Sequence, residues 1–142
     1  MKPVFSILLC LLPGLLLGAD LKIIINNARN DDGTMRVYLY AAKDKAQFLV
    51  SGFKDFACRQ YGKIQAGSTE VTCKDVPPGS YALSFFHDEN DNFNLDLNWA
   101  GLPSEGYGFS LNYKPKLRKP HFEEVEFKVE EADQIHQLKT LY

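Results

Sequence analysis

Short runs in which apolar and polar side chains alternate constrain this fold more than any other feature of the sequence. One run covers residues 34–41, and another covers residues 122–130, where Val125, Phe127 and Val129 alternate with charged residues. A period of two places the apolar side chains on one face of a β-strand. The sequence predicts no long helix.

Six further segments complete a set of seven to eight predicted strands: residues 21–26, 57–64, 69–76, 80–86, 107–113 and 134–141. Turn-forming residues separate them. The turn at residues 30–33 favours a hairpin between strands 21–26 and 34–41. Many short strands between turns are typical of an antiparallel β-sandwich. The sequence therefore predicts an all-β antiparallel sandwich.

The first 19 residues have the layout of a secretory signal peptide. Lys2 precedes an apolar run, and Gly18 and Ala19 precede the expected cleavage point. A membrane anchor is the alternative, but it needs about 20 apolar residues without a helix breaker. Pro13 and Gly14 interrupt this run. We expect a signal peptide over residues 1–19, one domain over residues 20–142, no transmembrane span after cleavage, and a periplasmic or secreted protein.

Removal of residues 1–19 removes Cys10 and leaves Cys58 and Cys73. An even pair of cysteines in an exported protein favours a disulfide bond. Counted outward from residues 65 and 66, the two cysteines fall opposite each other in a predicted antiparallel pair. The sequence thus predicts a cross-strand disulfide. A zinc site is the alternative, and it lacks nearby histidine ligands.

Charge excludes one class of partner and indicates one candidate surface. The formal net charge of −2 provides no basic footprint for nucleic acid. Residues 114–120 nevertheless carry four positive charges. This stretch is either a solvated loop or a contact surface for anionic lipid headgroups or acidic polysaccharide.

The polar loop over residues 87–98 is the most distinctive chemical feature. Four oxygen-bearing side chains stand at positions 1, 3, 5 and 9 of a possible calcium loop: Asp88, Asn90, Asn92 and Asp96. Phe93 and Trp99 occupy the positions at which an EF-hand-type loop has Gly and Glu. The alternative is a turn whose side chains bond their own backbone. Both hypotheses, a calcium site and a self-bonded turn, stay open at this point.

Glycines and aromatic residues alternate over residues 106–109. Glycine beside an aromatic residue permits close packing of a ring on the backbone, or a bulge. This pattern predicts an aromatic plug at one end of the sandwich. The functional alternative is a ligand face on which Trp99, Tyr107 and Tyr113 stack a sugar or peptide while Glu105 orients it.

Two common catalytic motifs are absent from the sequence. It contains neither a G-x-S-x-G nucleophile elbow nor an H-E-x-x-H zinc motif. A hydrolase that pairs Asp88 or Asp96 with Glu105 is the formal alternative. We expect a protein that is not an enzyme.

Four segments resemble the bacterial domain-of-unknown-function family 2141: residues 78–82, 87–90, 95–98 and 101–110. The resemblance is densest over residues 78–122. Asp91 stands where the family pattern has a small residue, and Phe93 stands where it has Gly. The resemblance implies a prealbumin-like or immunoglobulin-like β-sandwich and no established activity.

Taken together, these features predict an exported cell-envelope protein that serves as a binding or structural module through the loops at 87–110. The expected partner is an envelope glycan or protein. The alternatives are a calcium-stabilised domain that binds carbohydrate or peptide, and a small envelope hydrolase.

Overall fold

The computed structural model describes residues 17–142. Most of the predicted signal peptide, including Cys10, lies outside the described residues. Within them there are eight strands: β1 (Ala19–Asn26), β2 (Thr34–Ala41), β3 (Cys58–Gly62), β4 (Thr69–Val76), β5 (Gly79–Asp88), β6 (Tyr107–Phe109), β7 (Phe127–Val129) and β8 (Gln134–Lys139). Three short 3-10 helices cover Ala42–Gln47, Ser110–Asn112 and Phe122–Glu124.

The strands form two sheets. The first has the order β4-β1-β8, and the second has the order β3-β2-β5-β6, with β7 paired to the beginning of β5. Strands β1 and β8 run parallel, whereas the other pairs of named strands in the described chain are antiparallel. The predicted all-β sandwich is confirmed, and the strand count lies within the predicted range.

The predicted hairpin between the first two strands is wrong. Strand β1 pairs with β4 and β8, while β2 pairs with β3 and β5, so residues 27–33 cross from one sheet to the other. Alternation specifies which face of a strand is buried, and it does not specify the neighbour on either edge. Two strands whose apolar faces meet across a sandwich therefore have the same pattern as two strands of a hairpin.

Two apolar clusters stabilise the sandwich. The main cluster fills the space between the sheets and includes Ile23, Val37 and Phe85. The second cluster lies on the other side of the second sheet, where Tyr40 and Ala82 pack against the segments at 42–56 and 107–125. Strand β5 therefore has buried residues on both faces, as its nearly continuous burial shows.

The predicted burial of the late apolar alternation is confirmed, but its local structure differs. Val125, Phe127 and Val129 are all buried. Only Phe127 and Val129 lie in a strand and face the main cluster, whereas Val125 belongs to the second cluster. Strand β7 is thus shorter than predicted because a 3-10 helix precedes it.

The Cys58–Cys73 disulfide is present, with the two Cα atoms 5.9 Å apart. Its predicted placement across an antiparallel pair is wrong, because β3 pairs with β2 and β4 pairs with β1. The bond instead joins the edge strand of one sheet to the edge strand of the other. It is therefore a covalent link between the two layers of the sandwich.

Strand β1 begins one residue inside the predicted signal peptide. Ala19 is fully buried and pairs with Val76. All eight strands and both apolar clusters are formed by residues 19–142. This segment thus contains its own core.

We predict that the double substitution Cys58→Ala and Cys73→Ala lowers the free energy of unfolding by about 3 kcal/mol, because the bond closes a loop with a sequence separation of 15. Urea denaturation measures this change. Reduced wild-type protein serves as the control and should unfold at the same urea concentration as the double variant. An unchanged free energy of unfolding would contradict a stabilising role for the bond.

Candidate functional site

The loop that joins β5 to β6 spans residues 89–106 and lies at one end of the sandwich. It begins directly after His87 and Asp88, which are both fully buried at the end of β5. Gly33 in the loop from β1 to β2 packs against the backbone of Asp88, and the C-terminal Tyr142 contacts His87. Several distant parts of the chain therefore meet at the base of this loop.

A buried ion pair lies at this base. Arg36 on β2 is 3% exposed, and its Nε donates to Oδ2 of the fully buried Asp88 at 2.5 Å. The strand register places Arg36 opposite Phe86, so the side chain two residues later, at Asp88, lies on the same face of the sheet. A buried charge is strongly unfavourable without an opposite charge, and each member of the pair supplies it to the other.

Aromatic rings cover the Arg36 guanidinium. Its Cζ lies 3.9 Å from the ring centroid of Phe93 and 5.0 Å from that of Tyr61, distances typical of cation–π contacts. Phe93 has a φ of +70°, a left-handed conformation that is uncommon for a residue with a large side chain. The family resemblance seen in the sequence leads one to expect Gly at this position. The contact between its ring and Arg36 offsets the backbone strain.

Asp88 also organises the first turn of the loop. Its Oδ1 accepts a hydrogen bond from the backbone N–H of Asn92 at 3.0 Å, and its Oδ2 accepts one from that of Phe93 at 2.9 Å. Together with Arg36, these donors engage both oxygens. Asp88 is therefore an anchor that fixes the loop to the sheet.

Asparagine side chains fold the loop on itself. Asn90 Oδ1 accepts from the N–H of Asn92 at 3.1 Å, and Asn92 Oδ1 accepts from the N–H of Asn94 at 2.9 Å. These are Asx turns, in which a side-chain oxygen replaces a backbone acceptor. The self-bonded turn suggested by the sequence thus describes the structure.

Three of the four proposed calcium ligands meet at one exposed point. Asn90 Nδ2 donates to Asp96 Oδ2 at 2.7 Å, and Asn92 Nδ2 donates to Asp96 Oδ1 at 2.8 Å. The fourth, Asp88, is buried and is already neutralised by Arg36. Residues 17–142 contain no group of three or more His, Cys, Asp or Glu side chains arranged to hold a metal ion. Calcium binding stays a prediction.

Glu105 ties the two sides of the loop together. It is 5% exposed, and its two oxygens accept the N–H groups of Glu89 at 2.9 Å and Asp96 at 3.0 Å. The sequence suggested that this carboxylate orients a ligand, or serves as a catalyst in the hydrolase hypothesis. In the structure both oxygens of this carboxylate accept hydrogen bonds from backbone N–H groups of its own loop.

The outer part of the loop is a small hairpin with Trp99 at its tip. Leu97 and Pro103 form a bridge, and Asn98 N donates to the carbonyl of Leu102 at 2.8 Å. Asn98 Oδ1 also accepts from the N–H groups of Ala100 and Leu102. The side chain of Trp99 is left 99% exposed, beside the exposed Leu97 and Leu102.

The other residues of the predicted ligand face lie elsewhere. Tyr107 is half-buried with its ring 6.0 Å from that of Phe109, and Tyr113 donates a hydrogen bond to Glu124 at 3.1 Å. In the described part of the chain, no hydrogen bond or ring contact joins either tyrosine to Trp99. Trp99 is therefore the one member of that set that stands fully in solvent.

The alternation of glycine and aromatic residues does permit close packing, as predicted. A Cβ atom placed on Gly108 would lie 2.2 Å from the ring of Phe85, and one on Gly106 would lie 2.4 Å from Thr140. Larger residues at these two positions would displace β6 from β5 and from the C-terminal segment.

Sequence reasoning missed the residues that support the loop from other elements. Besides Arg36, these include Arg29, which forms an ion pair with Glu89 at 2.8 Å, and Tyr142, whose hydroxyl lies 3.2 Å from His87 Nδ1. Their partners lie more than 50 residues away in the chain, and no local pattern marks such pairs.

Fold and site together define a small disulfide-bonded β-sandwich that carries a hydrogen-bonded loop at one end. The model of a family described as "Uncharacterized protein conserved in bacteria (DUF2141)" matches residues 23–137, and the chain belongs to this family. The predicted family is thereby confirmed. No curated protein and no solved structure matches the chain. Within residues 17–142, no helix is long and apolar enough to cross a membrane.

We predict that Arg36→Met lowers the free energy of unfolding by about 3–5 kcal/mol, because it leaves the buried Asp88 carboxylate without a counter-charge. Chemical denaturation measures the loss. The control is Asp91→Asn, which removes a half-exposed carboxylate 3.6 Å from Arg36 and should cost about 0–1 kcal/mol. Equal losses for the two variants would contradict the anchoring role of the buried pair.

Proposed function

We propose that this protein is an exported, non-enzymatic binding module of the cell envelope, periplasmic or secreted, that acts through the loops at 87–110. One observation carries the proposal: a fully exposed Trp99 on a hairpin that hydrogen bonds hold in place. The disulfide bond is compatible with an oxidising compartment outside the cytoplasm.

The physical argument rests on what an exposed tryptophan contributes to binding. Trp is enriched among the residues that dominate binding energy, because it buries a large apolar area and has few rotatable bonds. A side chain on a loop that is already ordered loses less conformational entropy when a partner binds. Asn98 and Glu105 provide that order through six hydrogen bonds that involve the backbone of the loop.

The proposed partner is an envelope protein or glycan. The exposed Leu97 and Leu102 beside Trp99 form a protruding apolar tip. Such a tip fits an apolar pocket on a protein, whereas a sugar site would combine a ring with several hydrogen-bonding groups. The tip therefore favours a protein, and a glycan is the other outcome that the experiment distinguishes.

Trp99 is the one tryptophan of the chain, so intrinsic fluorescence reports on this tip alone. We expect a blue shift when the partner binds to the wild type. Isothermal titration calorimetry, which needs no tryptophan, should show about a thirtyfold loss of affinity in Trp99→Ala, as for a residue that dominates an interface. Peptidoglycan fragments, an oligosaccharide panel and purified envelope proteins serve as probes.

The matched control is Ile135→Ala, which removes an apolar side chain that is 66% exposed on β8 in the other sheet. It should leave affinity unchanged, and both variants should melt at the wild-type temperature. If Trp99→Ala binds a partner as tightly as Ile135→Ala does, Trp99 is not the contact residue.

A calcium-stabilised form of the same module is the second candidate, favoured by the meeting of Asn90, Asn92 and Asp96 at one exposed point. If an ion binds there, the melting temperature should rise with calcium in the wild type and stay constant in Asp96→Asn. Thermal melts in calcium, in magnesium and in a chelator measure this. Identical wild-type transitions in calcium and chelator would rule out a stabilising ion.

A further inference from the structure

The basic loop, residues 114–120, is separate from the site at Trp99. Its Lys114, Lys116 and Lys119 are exposed, as are Arg118 and the fully exposed Leu117. Pro120 is buried at the end of the loop. The loop thus displays a leucine among cations.

Glu124 closes the base of this loop. Its carboxylate accepts Arg118 Nη1 at 2.7 Å and Nη2 at 3.1 Å, the Tyr113 hydroxyl at 3.1 Å, and the backbone N–H of His121 at 2.7 Å. Hydrogen bonds from Arg118 lower the pKa of Glu124 to about 2, so this carboxylate is ionised at neutral pH. The two ends of the loop are therefore held together.

The contact between Arg118 and Glu124 distinguishes one paired cation of the loop from three cations that form no ion pair within residues 17–142. Arg118 is neutralised by Glu124, whereas Lys114, Lys116 and Lys119 take part in none of the ion pairs of the described chain. An open hollow of about 450 Å³ lies beside them, lined by Tyr113, Lys114, Lys116, Leu117 and Arg118. Lys114 and Lys116 thus line the same hollow as the fully exposed Leu117, and Lys119 follows two residues later in the loop.

We propose that the basic loop docks this protein on a phospholipid bilayer that carries anionic headgroups. The lysines contact lipid phosphates, and Leu117 enters the boundary between headgroups and acyl chains. Leu117 decides between a bilayer and a soluble polyanion, because an acidic polysaccharide offers charge but no apolar phase in which a leucine is buried.

This docking is independent of the Trp99 tip. Next to Glu124, Glu123 contacts Lys45 in the 3-10 helix at 42–47, which directly follows β2. That end of β2 pairs with Tyr81, whereas its other end pairs with Asp88 at the base of the Trp99 loop. The two surfaces are therefore attached to opposite ends of the central strands. A substitution that abolishes binding at one surface should leave binding at the other unchanged.

The test uses residues 19–142, which contain both apolar clusters, with two kinds of vesicle. One is phosphatidylcholine, and in the other about a third of the lipid is phosphatidylglycerol. We expect cosedimentation with the anionic vesicles, weakened by salt. Replacing Lys114, Lys116 and Lys119 by Gln should reduce binding about a hundredfold, at about fivefold for each charge. Leu117→Ala should reduce it about tenfold.

The matched control carries the same loss of charge at three exposed lysines elsewhere: Lys43, Lys54 and Lys74. It should retain most of the binding, and Trp99→Ala should retain all of it. Leu117→Trp in a Trp99→Phe background should shift its emission to the blue with anionic vesicles and not with a soluble acidic polysaccharide. Equal binding to both vesicles, an equal loss in the control triple variant, or a blue shift with the polysaccharide alone would overturn the proposal.

Discussion

The loop at residues 89–106 depends on the carboxylate of Asp88, which is buried beneath it. Asp88 neutralises Arg36 and accepts two backbone N–H groups at the point where the chain leaves β5. Because a lone charge at this depth is strongly unfavourable, the ion pair holds β2 and β5 in one register, and that register fixes the direction in which the loop departs. Glu105 then acts one layer further out, where its carboxylate joins the two sides of the loop. The conformation of the whole loop thus depends first on the buried Asp88 carboxylate and then on the hydrogen bonds of Glu105.

The scaffold beneath this loop is asymmetric. The second sheet is covered on both faces, on one side by the first sheet and on the other by the segments at 42–56 and 107–125. The first sheet has three strands and one covered face, and the disulfide bond links its edge to the edge of the second sheet. Strand β8 is the other edge of the first sheet. There Asn112 donates to the carbonyl of Gln137 and accepts the N–H of Lys139, so a side chain occupies backbone groups that another strand would otherwise use.

How far the sequence predicts this structure depends on the range of the interactions. Alternation correctly identified the buried faces at Val37 and Val129, because burial follows the period of the strand itself. Pairing of β1 with β2 was wrong, since the same period suits strands that meet face to face across the core. The Asx turns of the loop were one of the two hypotheses that the sequence offered, because such turns form between near neighbours. Arg36 was missed as their support, because its partner is 52 residues away and an arginine in a strand usually indicates a solvent-facing position.

A large apolar side chain at a loop tip is compatible with a stable fold only when the loop does not need that side chain for its own order. Here Asn98 and Glu105 hold the hairpin that carries Trp99. A partner can therefore bind the Trp99 side chain without breaking any contact that stabilises the loop. The same separation exists at the basic loop, where Glu124 and Arg118 provide the order and Leu117 with three lysines is left exposed. In both loops polar contacts fix the backbone, and the side chains best suited to binding are those that the fold does not use.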